Sequence, residues 1–570
     1  MARYLVTSAL PYANGPIHFG QVIGAYLPAD VYARTLRRKG EEVCFVCGMD
    51  EHGVAITIGA EREGVDYESY VARWRQGAKK TFDRLDIRFD VWSGTSISPP
   101  HAKLSREFFR RLHAEGYLQE RRSEQLYCSH DEMFLADRYV TGTCHVCGKP
   151  GARGDECPSC GSWLDALQLR EPSCKVCGNP PEKRETTHWY LDLPRLRDDH
   201  IGTWFDRHEW RGNVRAFVRA MLDELQPRPI TRDMRWGIPV PEEIAGENSG
   251  KVLYVWFDAP IGYVSFTREW AEDRDDPDAW KRFWRDPETR LVHFIGKDNI
   301  PFHCLIFPSM LWGVKQGYVM PWAVPASEFY NLQGRKFSTS ARWTIDLEGF
   351  FERYDADVTR FYLISSAPET ADSEWRWEGF QSCVNSSLAD TIGNLVTRVL
   401  RFAAKHFDGL VPPLDPAHEA ELDRELLERC GSVADPAEAI EAFRFRRGAE
   451  ALIANATLAN VFIDRMAPWA LRKQDPERAG SVLNTAAEWI GLLASWMQPF
   501  MPSKAQEIWS MVGGEGEVAE LAWPSPPRAG SWRIGLGGRA LGAIRPPFAK
   551  LEDERIADEI RVLEARAGAR

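Results

Sequence analysis

The chain is predicted to be an α/β protein whose parallel sheet is split by a cysteine-rich insertion and followed by an α-helical bundle. Three observations carry this expectation. The first fifty residues alternate an apolar strand, a helix and a second apolar strand. Of the twelve cysteines, seven fall between Cys128 and Cys177. From about residue 386 to about 525 the chain is rich in alanine and leucine at helical spacing. A length of 570 residues exceeds what one core organises, so roughly two to four domains are expected.

"RYLVTSAL" is a buried-strand run, and "PYANGP" breaks it. From Ile17 a helical pattern runs through Val22, Ile23, Tyr26, Leu27 and Val31 to Lys39. Gly40 is its C-terminal cap, and Pro28 is expected to kink it. "EVCFVCG" is the second strand, and its Cys44 and Cys47 should point to opposite faces as buried apolar residues. A β-α-β unit predicts parallel pairing, with ligands at the carboxyl ends of the strands. Residues 116–230 show CxxCG turns, many glycines and little helical periodicity, the texture of an insertion. Strand-like runs return at "KVLYVWFDAP" and "RLVHFIGKDN", expected as the second half of the same sheet. A short tail follows residue 540.

The formal charge of -11 gives no net-charge argument for nucleic-acid binding, so an RNA partner would have to meet local basic patches. The apolar stretch around "CLIFPSMLWGV" is too short to cross a bilayer, and "MARYLVTSALPY" is a poor signal peptide. A cytoplasmic protein without structural disulfides and without a membrane partner is expected, which makes clustered cysteines metal ligands first.

"CHVC", nine residues and "CPSC" supply Cys144, Cys147, Cys157 and Cys160, each pair followed by glycine (Gly148, Gly161). Four thiolates form a closed, structural Zn2+ site. Cys174 and Cys177 form a further pair that needs two more ligands. Cys128 is the remaining cysteine nearby, and "CSHD" offers Asp131, at CxxC spacing, or His130. The expectation is therefore one or two structural zinc ions, the second held by Cys128, Asp131, Cys174 and Cys177.

Two polar loops remain. "PYANGPIHFGQ" lies between the first strand and the first helix, where backbone N–H groups and a helix N-terminus face an anion. "NLQGRKFSTSARW", at positions 331 to 343, combines glycine, adjacent cations and hydroxyls, a composition suited to a phosphate chain or to a solvated turn. "HFGQ" is similar to the HIGH signature of class I aminoacyl-tRNA synthetases, and "KFSTS" to their KMSKS loop. With the cysteine knuckles, "YVWFDAPIGY" and "GKDNIPFH" in the family's order, the chain from Arg3 to the tail resembles methionyl-tRNA synthetases.

The resemblance implies a Rossmann-type catalytic domain in two halves, 1–115 and 231–325. It also implies a connective insertion over 116–230, a KMSKS-loop and stem-contact region over 326–385, an anticodon-binding bundle over 386–540 and a tail over 541–570. It implies ATP with Mg2+, L-methionine and tRNA(Met), initiator and elongator, as partners. Methionine would attack the α-phosphate of ATP, and the methionyl group would then move to the tRNA 3′ end. In-line displacement at phosphorus asks the protein to position reactants and neutralise developing charge.

By the same resemblance His18, Gly20 and Gln21 hold the adenine and phosphate end, while Lys336, Ser338 and Thr339 close over the triphosphate. Thr339 stands where the common motif has a second lysine, so Lys336, helped by Arg335 or Arg342, is expected to carry the pyrophosphate contact. Asp50 receives the substrate ammonium. Ala9, Leu10, Tyr12, Trp256, Ala259, Pro260, Tyr263 and His303 line an apolar pocket that suits a thioether. Arg232 and Asp298 flank the nucleotide. Asn394, Arg398 and Trp469 meet the anticodon, the tryptophan by stacking. Family members that dimerise often do so through an added C-terminal domain, so a monomer is expected. The rival readings are a leucine, isoleucine or valine synthetase, which usually carries a large editing insertion, and a paralogue that no longer aminoacylates.

Overall fold

The computed structural model describes residues 1–568 except 136–138, 155, 156, 161, 163, 209, 247, 248, 339–341 and 526, so Gly161 and Thr339 lie outside the described residues. A parallel six-stranded sheet is built from β1 (Arg3–Ser8), β2 (Glu42–Met49), β3 (Val91–Gly94), β4 (Thr289–Gly296), β5 (Pro321–Ala323) and β6 (Ala326–Ser327). The order is β5-β4-β1-β2-β3, with β6 also on β4. Arg3 pairs with Glu42 on one side and Thr289 on the other. The strand order thus reverses between β1 and β4, which opens a crevice at their carboxyl ends. Both faces of the sheet are covered. Cys47 belongs to one apolar core and Cys44 to the other, as their odd spacing requires.

The crossover after β1 is helical from Phe19 to Arg38, but Pro28 does not break it. Instead a π-helical turn over Val22–Tyr26, closed by the Leu27 N–H on the Val22 carbonyl, sits just before the proline. Gly40, with φ 82°, follows the last turn and its N–H bonds the Arg37 carbonyl at 2.9 Å. The expected second half of the sheet is corrected in one element. "RLVHFIG" is β4, whereas Lys251–Leu253 pairs with Thr231–Asp233 in a separate two-stranded ribbon and the chain turns helical at Val255. An unbroken apolar run does not say which sheet it joins.

The insertion is an antiparallel arm, Leu118–Cys128 against Glu182–Leu191, carrying a small sheet of Val140–Thr143, Pro150–Arg153 and Arg170–Cys174 at its far end. Helical periodicity does appear within it. Gly212–Asp223 is a helix that buries Val214, Val218 and Leu222, one face at a spacing of four.

The position 385/386, expected as a boundary, falls inside one helical run from Trp377 to His406. Phe445–Met466 and Pro476–Met497 complete the bundle core. Arg360, fully buried, ties the sheet to the bundle: its guanidinium meets Asp30 at 2.8 Å and donates to the carbonyls of Leu85 (2.7 Å), Pro499 (2.6 Å) and Phe500 (3.0 Å). The expected tail ends in a helix, Asp553–Gly568, whose Glu559 accepts from Arg353 at 2.8 Å and Tyr354 at 3.2 Å. Among the described residues no helix is long and apolar enough to cross a membrane.

Candidate active site

A cavity of about 570 Å³ opens at the crevice where the strand order reverses. After β1 the chain contributes Ala9, Leu10 and Tyr12, and after β2 it contributes Asp50. The two strand ends stay joined beyond the sheet. Tyr12 bridges to Asp50, the Asp50 N–H donates to the Pro11 carbonyl at 2.9 Å, and the Ala13 N–H donates to the Asp50 carbonyl at 2.9 Å. His18, Gly20, Gln21, Arg232, Trp256 and Asp298 complete the predicted residues that line the cavity.

Asp50 is buried, and among the described residues its Oδ1 has no hydrogen-bond partner. Burial, reinforced by the nearby Asp258 carboxylate, pushes its pKa well above the usual range. Asp258 is itself fully buried and accepts from His52 Nδ1 at 2.6 Å. An ammonium group delivered to Asp50 would satisfy the orphan oxygen and stabilise its charged form.

The apolar wall has two layers. Ala259, Pro260, Tyr263 and His303 do not line the cavity but are buried behind it. A Cβ on Gly262 would lie 3.1 Å from the Leu10 side chain, so this helix packs directly behind Leu10. His303 Nδ1 lies 3.0 Å from the Asn299 carbonyl, which can only accept, so that nitrogen carries the proton. Its Nε2 then accepts from the Tyr263 hydroxyl at 2.8 Å, and burial lowers the ring to about 4, keeping it neutral. Trp256 lies on the cavity side, stacked on Phe302 at 4.0 Å and 13°. Sequence reasoning missed Phe302, although it is the neighbour of His303 in "NIPFH".

At the other end His18 caps the first helix. Its N–H donates to Gln21 Oε1 at 3.0 Å while the Gln21 N–H points at His18 Nδ1 at 3.4 Å. Nδ1 is therefore the acceptor and Nε2 carries the proton of the neutral ring, whose pKa burial lowers to about 4. A Cβ at Gly20 would lie 3.1 Å from this ring and 3.2 Å from the Tyr330 carbonyl, so a side chain there would have to push these neighbours aside by a few tenths of an ångström. The His18 ring stacks on Phe337 at 4.8 Å and 5°, joining the two signature loops.

Phe337 follows a hairpin of Tyr330–Leu332 and Arg335–Lys336, turned through Gln333 and Gly334 with φ 44° and 77°. Ser338 and Trp343 bridge, and Trp343 Nε1 donates to the Leu332 carbonyl at 2.8 Å. Neither Lys336 nor Ser338 lines the cavity. Lys336 is exposed, its Nζ 4.8 Å from the ring centre of Phe329, which does line it. Arg335 is laid 4.2 Å over Trp343 and Arg342 is exposed. The Arg232 guanidinium lies 3.8 Å over the Tyr254 ring and donates to the Thr231 carbonyl at 2.9 Å.

Among the described residues two groups in the insertion could hold metal: Cys144, Cys147, Cys157 and Cys160, and Cys128, Asp131, Cys174 and Cys177, with donor atoms within 4.8 Å of one another in each. In the first, Cys144 and Cys160 sulfurs are 4.0 Å apart and Cys147 and Cys157 3.7 Å, close to the roughly 3.8 Å that tetrahedral Zn–S bonds of about 2.3 Å require. In the second, Asp131 Oδ2 lies 3.2 Å from Cys128 Sγ and 3.1 Å from Cys174 Sγ. His130 is exposed, its Nδ1 lies 3.2 Å from Asp131 Oδ1 rather than the Oδ2 that meets the sulfurs, and it is outside the group. These donor sets fit zinc in closed, structural coordination.

In the bundle, Trp469 is 41% exposed, on a turn made by Ala467 with φ 39° before Pro468. Arg398 lies 5.2 Å over its ring and pairs with Asp464 at 2.9 Å. Asn394, one helical turn earlier, is exposed.

A 3-2-1-4-5 parallel sheet, a His18 loop stacked on a lysine-bearing hairpin across a strand-end cleft, and an appended bundle define a class I aminoacyl-tRNA synthetase. Residues 4–400 match the family model for class I tRNA synthetases of the methionine type, and residues 415–565 match the anticodon-binding domain of methionyl-tRNA ligase. Among curated relatives, the methionine–tRNA ligase of Rubrobacter xylanophilus is 45% identical over 574 residues, covering 97% of this chain and 96% of the relative. That of Salinibacter ruber is 42% identical over 100% of this chain and 82% of the relative. In structure the chain is similar to Mycobacterium tuberculosis methionyl-tRNA synthetase in complex with methionyl-adenylate, with TM-score 0.75, 25% identity, and coverage of 96% of this chain and 100% of that one. The chain belongs to the methionyl-tRNA synthetase family.

Proposed function

We propose that the cleft joins methionine to ATP, giving methionyl-adenylate and pyrophosphate, and then passes the methionyl group to tRNA(Met), so that the chain is a methionine–tRNA ligase. The observation that carries this reading is the Asp50 carboxylate: buried, with one oxygen unpartnered among the described residues, on a cavity wall that Leu10, Tyr12 and Trp256 share. That wall suits an ammonium group beside a flexible thioether. Behind it Tyr263 and His303 act as positioning residues, because their mutual hydrogen bond and the neutral ring fix the depth of the pocket.

The nucleotide enters at His18, Gly20 and Gln21. The neutral His18 offers Nε2–H to a phosphate oxygen, and Gln21, whose Oε1 is occupied, offers its amide N–H groups. Arg232 and Asp298 flank the reacting centre, and Lys336, Ser338 and Thr339 close over the triphosphate, which arrives with Mg2+ as substrate. The methionine carboxylate then attacks in line.

Each metal group holds one structural zinc, two per chain, and these fix the knuckle turns without touching substrate. Trp469, Arg398 and Asn394 receive the anticodon loop, where an exposed ring and a face of polar side chains suit unstacked bases. The work is cytoplasmic. Incubation with methionine, MgATP and tRNA(Met) should yield methionyl-tRNA. Failure to charge initiator and elongator tRNA alike would overturn the reading.

A further inference from the structure

The cleft is poor in positive charge for the substrate it is read to take. Among its described lining side chains Asp50, Asp298 and Glu328 are carboxylates, and Arg232 is the permanent cation. Adenylation forms a bond from the methionine carboxylate oxygen to the α-phosphorus and breaks the bond to the α–β bridging oxygen. Pyrophosphate leaves with that electron pair, so negative charge grows on the leaving group. Cations must reach it from the rim.

Two lysines share Phe329, a lining residue. Lys336 Nζ is 4.8 Å from the ring centre and Lys297 Nζ is 3.9 Å. Lys336 sits on the exposed strand of the hairpin. Lys297 instead directly follows β4, between Gly296 and Asp298, which both line the cavity. Its ammonium is held between Glu328 Oε2 at 2.7 Å and Asp372 Oδ1 at 3.0 Å. Glu328 is a lining residue, so the ammonium is parked at the cavity wall.

We propose that Lys297 is a catalytic residue of adenylation that swings from Glu328 and Asp372 onto the β- or γ-phosphate of ATP. Its proton stays on Nζ, and its contribution is charge. A four-carbon stem allows the swing, and a triphosphate offers more negative charge than the two carboxylates that hold the ammonium at rest. Because it directly follows Gly296, which pairs with Ser327 in the sheet, Lys297 supplies a cation that does not depend on the hairpin. The inference rests on the ligase reading above.

The test compares Lys297→Met, Lys297→Gln, Lys297→Arg and Asp372→Asn with the wild type in single-turnover methionyl-adenylate formation from MgATP, with melting temperatures alongside. Lys297→Met and Lys297→Gln should each slow adenylate formation about 100-fold. Their methionine KM should stay within about threefold of wild type. Lys297→Arg should restore most of the rate, and Asp372→Asn, which loosens the resting pair, should keep it or raise it. Wild-type rates in Lys297→Met, or an equal loss in Asp372→Asn with a matching drop in melting temperature, would make the lysine a structural tie and overturn the proposal. A wild type that forms no adenylate would overturn the ligase reading, and the proposal with it, in a separate arm.

Discussion

Replacing Asp50 with Asn isolates the charge of the amino-acid site with little change in shape. Asp50 is buried, lines the cavity and, among the described residues, leaves Oδ1 without a partner. A charge-assisted bond to the substrate ammonium is worth about 1.5–3 kcal/mol, and a truncated buried charge pair costs about 2–5 kcal/mol. The variant should therefore lose about 3 kcal/mol of methionine recognition, on the order of 100-fold in kcat/KM for methionine in pyrophosphate exchange. KM for ATP should move less than about threefold, since the nucleotide end is held by other residues.

Stability should move the other way. Burial and Asp258 raise the folded pKa of Asp50, so above the ordinary carboxylate pKa the native state binds more protons than the unfolded chain. Stability then falls as pH rises through that window. Asp50→Asn removes the penalty and should melt higher than wild type at neutral pH without substrate, while methionine should stabilise only the wild type. A variant with unchanged methionine KM, or one stabilised by methionine as strongly as wild type, would refute the reasoning.

Other outcomes follow from the same geometry. Elemental analysis should find two zinc ions per chain, with Asp131→Ala losing one and Cys144→Ser losing the other, and chelation should lower the melting temperature because metal binding here is folding energy. Since burial lowers His18 to about 4, the unfolded chain takes up the proton first as pH falls below the ordinary histidine value. Part of the stability is lost between about pH 6.5 and 4, and His18→Asn should show a smaller change in melting temperature over that window. Trp469→Ala should raise KM for tRNA about 10- to 100-fold, as loss of about 1–3 kcal/mol of stacking implies, while methionine-dependent pyrophosphate exchange stays at wild-type level.

Much of the frame is visible in the chain itself, because strands buried on both faces write continuous apolar runs and helices write a period of 3.6. "RLVHFIG" is read correctly for that reason, while "KVLYVWFDAP" is not, since apolarity does not distinguish a central strand from a ribbon that turns into a helix. Asp131 was legible because it keeps the CxxC offset, which places its carboxylate among the three sulfurs and leaves His130 outside. The depth of a side chain was not legible. Tyr263 and His303 stand in the same short motifs as Trp256 and Phe302, yet one pair is buried behind the cavity and Trp256 faces it. Contacts across long stretches of chain were also invisible. The stack of His18 on Phe337 and the Arg360 hub on Asp30 depend on how the halves of the chain meet, which local pattern does not encode.

The central claim is that this cleft selects methionine for adenylation. Pyrophosphate exchange into ATP, measured with the full chain and each candidate amino acid, tests it most directly. Exchange should require methionine and stay near background with leucine, isoleucine or valine. Exchange supported equally by one of those residues, or no exchange with methionine, would contradict the account.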